Sequence, residues 1–472
     1  MKKYVLIFNF FSLVMSAQNT VSIYGTITNP KSDKVFVRYV KDNLTYDQVI
    51  ADSAGVDKNG NFSMSFAWKK PFPASLLVGD ESTDLFLTPK DSFRIKVDAG
   101  KFDSSINYSG VGAIVNNYIA KKLLRNSKVG REKMMASKSM NEKRFTVYID
   151  SIYLENNNFF KEYFSKFQNK TKSITDFMDS ELEEINYLWA SDKMRYPGYY
   201  TYFNKLKEPL EMGTNYYEFL KQVNLTNPKL ITSYWYLDVV ELYTNYNLKK
   251  SIKADTTLKD KEKYTKAKQE FIEKNFTGEV GDLLLAKMAY DLIVYENNIR
   301  SGKVIIDKYL ARSKSKEYSD NLNAVYTKAS KFAPGQPALE FNYADLNGKM
   351  VSLKDFRGKV VYLDLWASWC GPCLREIPDT KKLEEELKGK DVVFLCVSVD
   401  RDEDAWKKTV KEKEMPGIHL ICKGDFESEI AKLYNVKGIP RYILIDKNGK
   451  IVNVNANRPS SGVKPDIEKL LN

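Results

Sequence analysis

Three hydropathy rhythms in one chain predict a multidomain protein, with an N-terminal antiparallel β-sandwich, an all-α middle domain and a C-terminal α/β domain. Alternation at every second residue dominates the first part, spacings of three and four the second, and apolar strands interleaved with helices the last. At 472 residues the chain exceeds what one core usually organises, which agrees with about three domains. The expected boundaries are 18–110, 111–332 and 333–472, after a leader over 1–17.

The leader reads as an export signal. Lys2 and Lys3 precede an apolar run from Tyr4 to Val14, and the small residues Ser16 and Ala17 follow, so cleavage is expected after Ala17. The run is shorter than the ~20 apolar residues of a membrane-spanning helix, although retention as an N-terminal anchor is the alternative. No cysteine follows it to carry a lipid. The formal charge of +12 is spread among Asp and Glu, the pattern of a solvated surface. Such a balance is compatible with anionic partners and peripheral membrane contact, whereas nucleic acid is excluded for an exported chain without a recognisable binding module.

In the first domain, Val21, Ile23 and Ile27 alternate with polar residues, as do Phe62, Met64 and Phe66, and then Phe93, Ile95 and Val97. Asn59-Gly60, just before Phe62, suggests a hairpin turn. In the second, Phe160, Phe164 and Phe167 share one helical stripe, and Leu284, Met288, Leu292 and Tyr295 share another. Ser173 with Asp176 resembles a capping box, and Pro197 and Pro228 mark expected breaks between helices. A helical bundle or short solenoid fits, with the aromatic stripes serving as core.

Ala333-Pro-Gly-Gln-Pro337 combines turn formers and is expected to separate the helical domain from the last one. Beyond it the spacing predicts a hairpin at Asn347-Gly348, a buried strand over 360–366, a helix over 371–387 and a strand over 392–399. A helix over 405–413, a short strand over 419–422, a helix over 427–434 and a hairpin turning at Asn448-Gly449 complete it. This alternation implies a parallel sheet with helices on both faces.

Only four cysteines occur, Cys370, Cys373, Cys396 and Cys422, too few for the disulfide framework of an exported protein. Cys370 and Cys373 fall where a strand ends and a helix begins. Unsatisfied N–H groups and the helix dipole there stabilise a thiolate, so Cys370 is expected to be the exposed nucleophile. Pro372 suits the first helical turn, and Cys373 lies one turn on, placed to resolve a mixed disulfide. A zinc site would need two further ligands, and His419, Cys396 and Cys422 lack motif spacing. No metal and no cofactor is expected. Cys396 and Cys422, in apolar strands, read as small core residues, with a disulfide between them as the alternative, and His419 as a satisfied strand or loop residue.

Trp-Cys-Gly-Pro-Cys over 369–373, the preceding Gly358-Lys-Val-Val-Tyr-Leu-Asp-Leu-Trp-Ala and the later Gly438-Ile-Pro440 resemble the thioredoxin superfamily. The opening stretch from Ala333 and the extra helix and strand between Val399 and Glu427 look like its exported TlpA/ResA branch. The likeness covers about the last third of the chain and implies a thioredoxin fold there. A β-rich domain before such a module resembles envelope proteins of Gram-negative bacteria, which implies a periplasmic or cell-envelope location.

The resemblance also implies roles. Cys370 and Cys373 would form the redox-active disulfide, and Pro440 would be cis beside them. Ile439 would offer backbone groups to a substrate strand, with Trp369, Gly371 and Pro372 completing the contact surface. Asp364 matches the buried acid beneath the resolving cysteine of thioredoxins, and Glu376 the glutamate three residues after it in ResA-like proteins. Either carboxylate would accept the Cys373 proton, although Glu376 equally suits a solvated helix face. The implied activity is thiol-disulfide exchange that reduces protein disulfides, with a disulfide-containing protein as substrate and a second redox protein recycling the dithiol. An oxidase or isomerase using the same pair, and an envelope binding protein with a secondary redox domain, are the competing readings.

Overall fold

The computed structural model describes residues 19–213, 215–254, 261–296, 298–313, 315–436 and 438–471. The expected export signal over 1–17 lies outside the described residues. Contacts divide the chain into two compact units, with the division between Leu283 and Leu284.

The first unit opens with eight strands: β1 (Thr20–Thr28), β2 (Lys34–Val40), β3 (Gln48–Gly55), β4 (Asn61–Ala67), β5 (Phe72–Val78), β6 (Glu81–Leu87), β7 (Ser92–Asp98) and, after the short helix α1 (Phe102–Ser105), β8 (Asn107–Val111). They form two four-stranded sheets, β4-β1-β7-β8 and β3-β2-β5-β6. The alternating residues of both sheets enter one core, Val21 and Ile23 beside Val35, Val37 and Leu76. Two expectations are corrected here. The sheets are not wholly antiparallel, since β1 runs parallel to β7. Nor does Asn59-Gly60 close a hairpin, because it links β3 of one sheet to β4 of the other. The Gly60 carbonyl accepts from Ile27 N–H at 2.8 Å, and a side chain there would collide with the Ile27 carbonyl, so the glycine serves a close crossing between strands.

Helices follow: α2 (Ala113–Ser139), α3 (Glu142–Ser165), α4 (Lys172–Phe203), α5 (Tyr234–Ala254), α6 (Lys261–Asn275) and α7 (Gly278–Val294), the last spanning the division. Thr171 caps α4 through Ile174 N–H, so the cap lies two residues before the expected Ser173, whose Asp176 instead pairs with Lys172. Pro197 does not break the helix but sits inside α4. It cannot donate to the Lys193 carbonyl four residues back, and the Tyr216 hydroxyl does so instead at 2.9 Å. Among the described residues no helix is long and apolar enough to cross a membrane.

The second unit contains the end of α7, then α8 (Ile299–Arg312), α9 (Lys316–Ser330), β9 (Asn342–Asp345), β10 (Met350–Ser352), β11 (Val360–Trp366), α10 (Gly371–Glu386), β12 (Val392–Ser398), α11 (Glu403–Glu412), β13 (Ile418–Ile421), α12 (Glu429–Leu433), β14 (Arg441–Ile445), β15 (Ile451–Asn453) and α13 (Lys464–Leu471). Leu284, Met288 and Leu292 are buried as the helical stripe requires, but Tyr295 lies past the helix end and is exposed. The seven-stranded sheet has the order β10-β9-β13-β12-β11-β14-β15. It is mixed rather than parallel: β11, β12 and β13 run together, and β14 runs against β11 because the chain enters it at the end of the sheet where β13 finishes, without crossing back. One face packs on Trp406 and Val410 of α11 and Ile430 of α12, and the other on Leu383 of α10 and Ile467 of α13. The 333–337 segment and the residue after it are tied to the β14–β15 hairpin, Gly335 N–H donating to the Ile451 carbonyl and Ala338 N–H to that of Gly449, at 2.8 and 2.9 Å.

Candidate active site

β11 is buried along its whole length, so a strand of β-branched, leucine and aromatic residues is stable only with helices on both faces. Its chain leaves the sheet at Trp366 and turns through residues 367–369. Asp400 holds that turn, accepting from Ser368 N–H at 2.8 Å and from the Ser368 and Ser398 hydroxyls at 2.7 and 2.6 Å. Cys370 then caps α10 in an extended conformation, and its Sγ accepts the Cys373 N–H at 3.2 Å. Pro372 occupies the first turn, where a missing N–H costs nothing.

Cys370 and Cys373 are joined in a disulfide, with Cα atoms 5.3 Å apart. Both residues are buried, 4% and 5% exposed, which corrects the expectation of an exposed Cys370. In the oxidised pair the bond draws each sulfur against its partner, and the two belong to one apolar cluster with Trp366 and Ala367. Ile439 packs against that cluster, and the Ile439–Pro440 bond is cis. Gly371 and Pro372 are exposed beside the pair. Trp369 is 53% exposed, its ring 6.2 Å from that of Phe426, which is also exposed and which sequence reasoning did not single out.

Asp364 lies on the face of β11 that α10 covers, in register with Tyr442 on β14 and Cys396 on β12. Burial pushes its carboxyl up to about 8, with the charge of Glu376 adding to the effect. Its Oδ1 is buried with no hydrogen-bond partner among the described residues. The Tyr362 and Tyr442 rings stack 5.1 Å apart beside it, and burial holds both phenols above their ordinary range.

Glu376 does not face water. It is buried, and the 458–460 segment grips it: Ser460 N–H donates to Oε2 at 3.1 Å and the Ser460 hydroxyl to Oε1 at 2.9 Å, with Arg458 Nη1 at 3.7 Å from Oε1. Arg458 and Ser460 carried no sequence signal, being more than eighty residues distant from their partner.

Cys396 and Cys422 are free and buried, and no disulfide joins them. Burial pushes the Cys396 thiol well up, which leaves it a core residue rather than a second nucleophile. His419, in register with Cys396, directs Nε2 at the carbonyls of Met415 and Pro416, both at 3.1 Å, and burial lowers its pKa. Its Nδ1 has no partner among the described residues.

A mixed sheet sandwiched between helices, with a Cys-x-x-Cys disulfide opening the helix after its central strand, defines a thioredoxin-like oxidoreductase. The Redoxin family matches residues 333–471. The thiol-disulfide oxidoreductase ResA of Bacillus thuringiensis is 39% identical over 127 residues, 27% of this chain and 72% of that protein. ResA of Bacillus subtilis is 30% identical over 132 residues, 28% of this chain and 72% of that protein. The thioredoxin domain of a thiol-disulfide oxidoreductase from Bacteroides vulgatus is 34% identical, covering 30% of this chain and 99% of that one, with a TM-score of 0.28. The chain belongs to the ResA-like thiol-disulfide oxidoreductases of the thioredoxin superfamily.

Proposed function

We propose that the chain is an exported protein-disulfide reductase whose working pair is Cys370 and Cys373. One observation carries the reading: the Cys373 N–H points at the Cys370 sulfur at the start of α10, the arrangement that stabilises a thiolate. In the reduced protein the Cys370 thiolate attacks a substrate disulfide, forming a mixed disulfide and releasing one substrate thiolate. Cys373 then loses its proton and attacks Cys370 Sγ. The second substrate thiol leaves, two electrons have passed to the substrate, and Cys370–Cys373 is oxidised. The ionised form of Asp364, the minor form at neutral pH for a carboxyl pushed up to about 8, takes the Cys373 proton, and the neutral acid returns it when the pair is reduced again. A dithiol protein reduces the pair again.

Ile439 offers its backbone to an extended substrate segment, and Trp369, Gly371 and Pro372 supply the exposed surface beside the sulfurs. The two N-terminal sheets are read as the layers of a β-sandwich over 18–110, with a helical domain over 111–332 and the catalytic domain over 333–472. The location is the periplasm or cell envelope of a Gram-negative bacterium, reached through the leader over 1–17.

Two measurements test the reading. Insulin reduction by the wild type should disappear in Cys370→Ser, and equal rates would eliminate the enzymatic account. Equilibration in a redox buffer should give a potential nearer the thioredoxin value of about −270 mV than the DsbA value of about −120 mV, and the latter would make the protein an oxidase.

A further inference from the structure

Two buried carboxyls accompany the disulfide, Asp364 on β11 and Glu376 on α10, yet their surroundings are unequal. Glu376 has both oxygens engaged, Oε2 by Ser460 N–H and Oε1 by the Ser460 hydroxyl, with Arg458 beside the latter. Asp364 Oδ1 has no hydrogen-bond partner among the described residues. Hydrogen bonds and a nearby cation favour the ionised form of the carboxyl that receives them, and like charges in one site resist ionising together. We propose that Ser460 is a positioning residue: by clasping Glu376 on both oxygens, it leaves Asp364 as the carboxyl of the site that holds the proton. Arg458, half exposed, reinforces the clasp.

The inference rests on the reading that Asp364 relays the Cys373 proton, and it adds what keeps that proton on β11 rather than α10. The other titratable groups around the pair are Tyr362 and Tyr442, which burial keeps neutral, and the Cys396 thiol, which burial also keeps protonated. None of these carries a compensating charge at neutral pH. Among the described residues Arg458 is the cation paired with Glu376. The burial-raised titration of Asp364 agrees with this division of labour.

The test reads protonation directly, on the full oxidised chain. Infrared difference spectra across pH would follow the carbonyl stretch of the protonated carboxyl, assigned to Asp364 by its loss in Asp364→Asn. In Ser460→Ala the midpoint of that band should move to lower pH by at least about 0.5 unit, while Ser460→Thr, which keeps the hydroxyl, should retain the wild-type midpoint. Glu376→Gln should move it in the same direction, and adding Ser460→Ala to Glu376→Gln should move it no further. An unchanged midpoint in Ser460→Ala, or the same displacement in the Glu376→Gln background, would overturn the proposal. The rate of insulin reduction, measured on the same variants, judges the proton-relay reading separately: a band that shifts while the pH–rate profile stays fixed upholds the clasp and removes Asp364 from the relay.

Discussion

Replacing Asp364 with asparagine isolates the energetic cost of a carboxylate under α10. The carboxyl ordinarily titrates at 3.8 and is pushed up to about 8 in the fold, burial being the main cause. Between those values the folded protein holds a proton that the unfolded chain has lost, so the stability associated with the neutral acid is complete below about pH 4 and drains away as pH rises to about 8. At ~1.4 kcal/mol per pH unit the full span corresponds to roughly 6 kcal/mol, a ceiling that relaxation of the sheet would lower. Asparagine carries no charge at any of these pH values and should abolish the slope. The assay is hydrogen exchange of peptides covering β11 and β12 in the oxidised protein, comparing variant and wild type at the same pH so that intrinsic exchange rates cancel. The protection ratio of Asp364→Asn to wild type should grow at least tenfold between pH 5 and pH 8, a quarter of the ceiling or about 1.4 kcal/mol. A ratio that stays flat over that range would refute a buried, protonated Asp364.

Further outcomes follow from the same geometry. Cys373→Ser should stall at the mixed disulfide, and mass spectrometry of the trapped adducts should find Cys370 as the attachment point. Trp369→Ala should change stability by less than about 0.5 kcal/mol, since the ring is exposed, yet raise KM for a protein disulfide more than for a small aromatic disulfide. Tyr216→Phe leaves the Lys193 carbonyl without its donor beside Pro197 and should cost about 1–3 kcal/mol, read as faster hydrogen exchange in α4.

The parts of this protein that were legible in its sequence are those decided by near neighbours. The apolar run over 360–366, the cysteine pair and Pro372 specify strand, turn and helix within a dozen residues, and the observed β11 and α10 follow that reading closely. The same locality explains the Asn347-Gly348 turn between β9 and β10, which pair as expected.

What escaped depends on distant partners. The parallel pairing of β1 with β7 joins strands separated by most of the first sheet's sequence, and alternation alone is silent about a partner's direction. Pro197 looks like a helix end until Tyr216 supplies the missing donor from beyond the helix. Asn59-Gly60 has hairpin chemistry but crosses between sheets, since a turn sequence specifies curvature and not which strands it connects. At the site, Asp364 was conspicuous as a carboxyl in an apolar strand. Glu376 on a helix was not, because only the folded 458–460 segment removes it from water.

Once the disulfide is opened, the sulfur of Cys370 should be activated at the helix mouth. Pulse alkylation of the reduced protein with iodoacetamide from pH 4 to 10, resolved by peptide mass spectrometry, measures this directly. Cys370 should label first, with a half-point below the ~8.5 of an ordinary cysteine, while Cys373, Cys396 and Cys422 remain largely unlabelled. Labelling that begins at Cys373, or a Cys370 half-point at or above that of a free thiol, would contradict it.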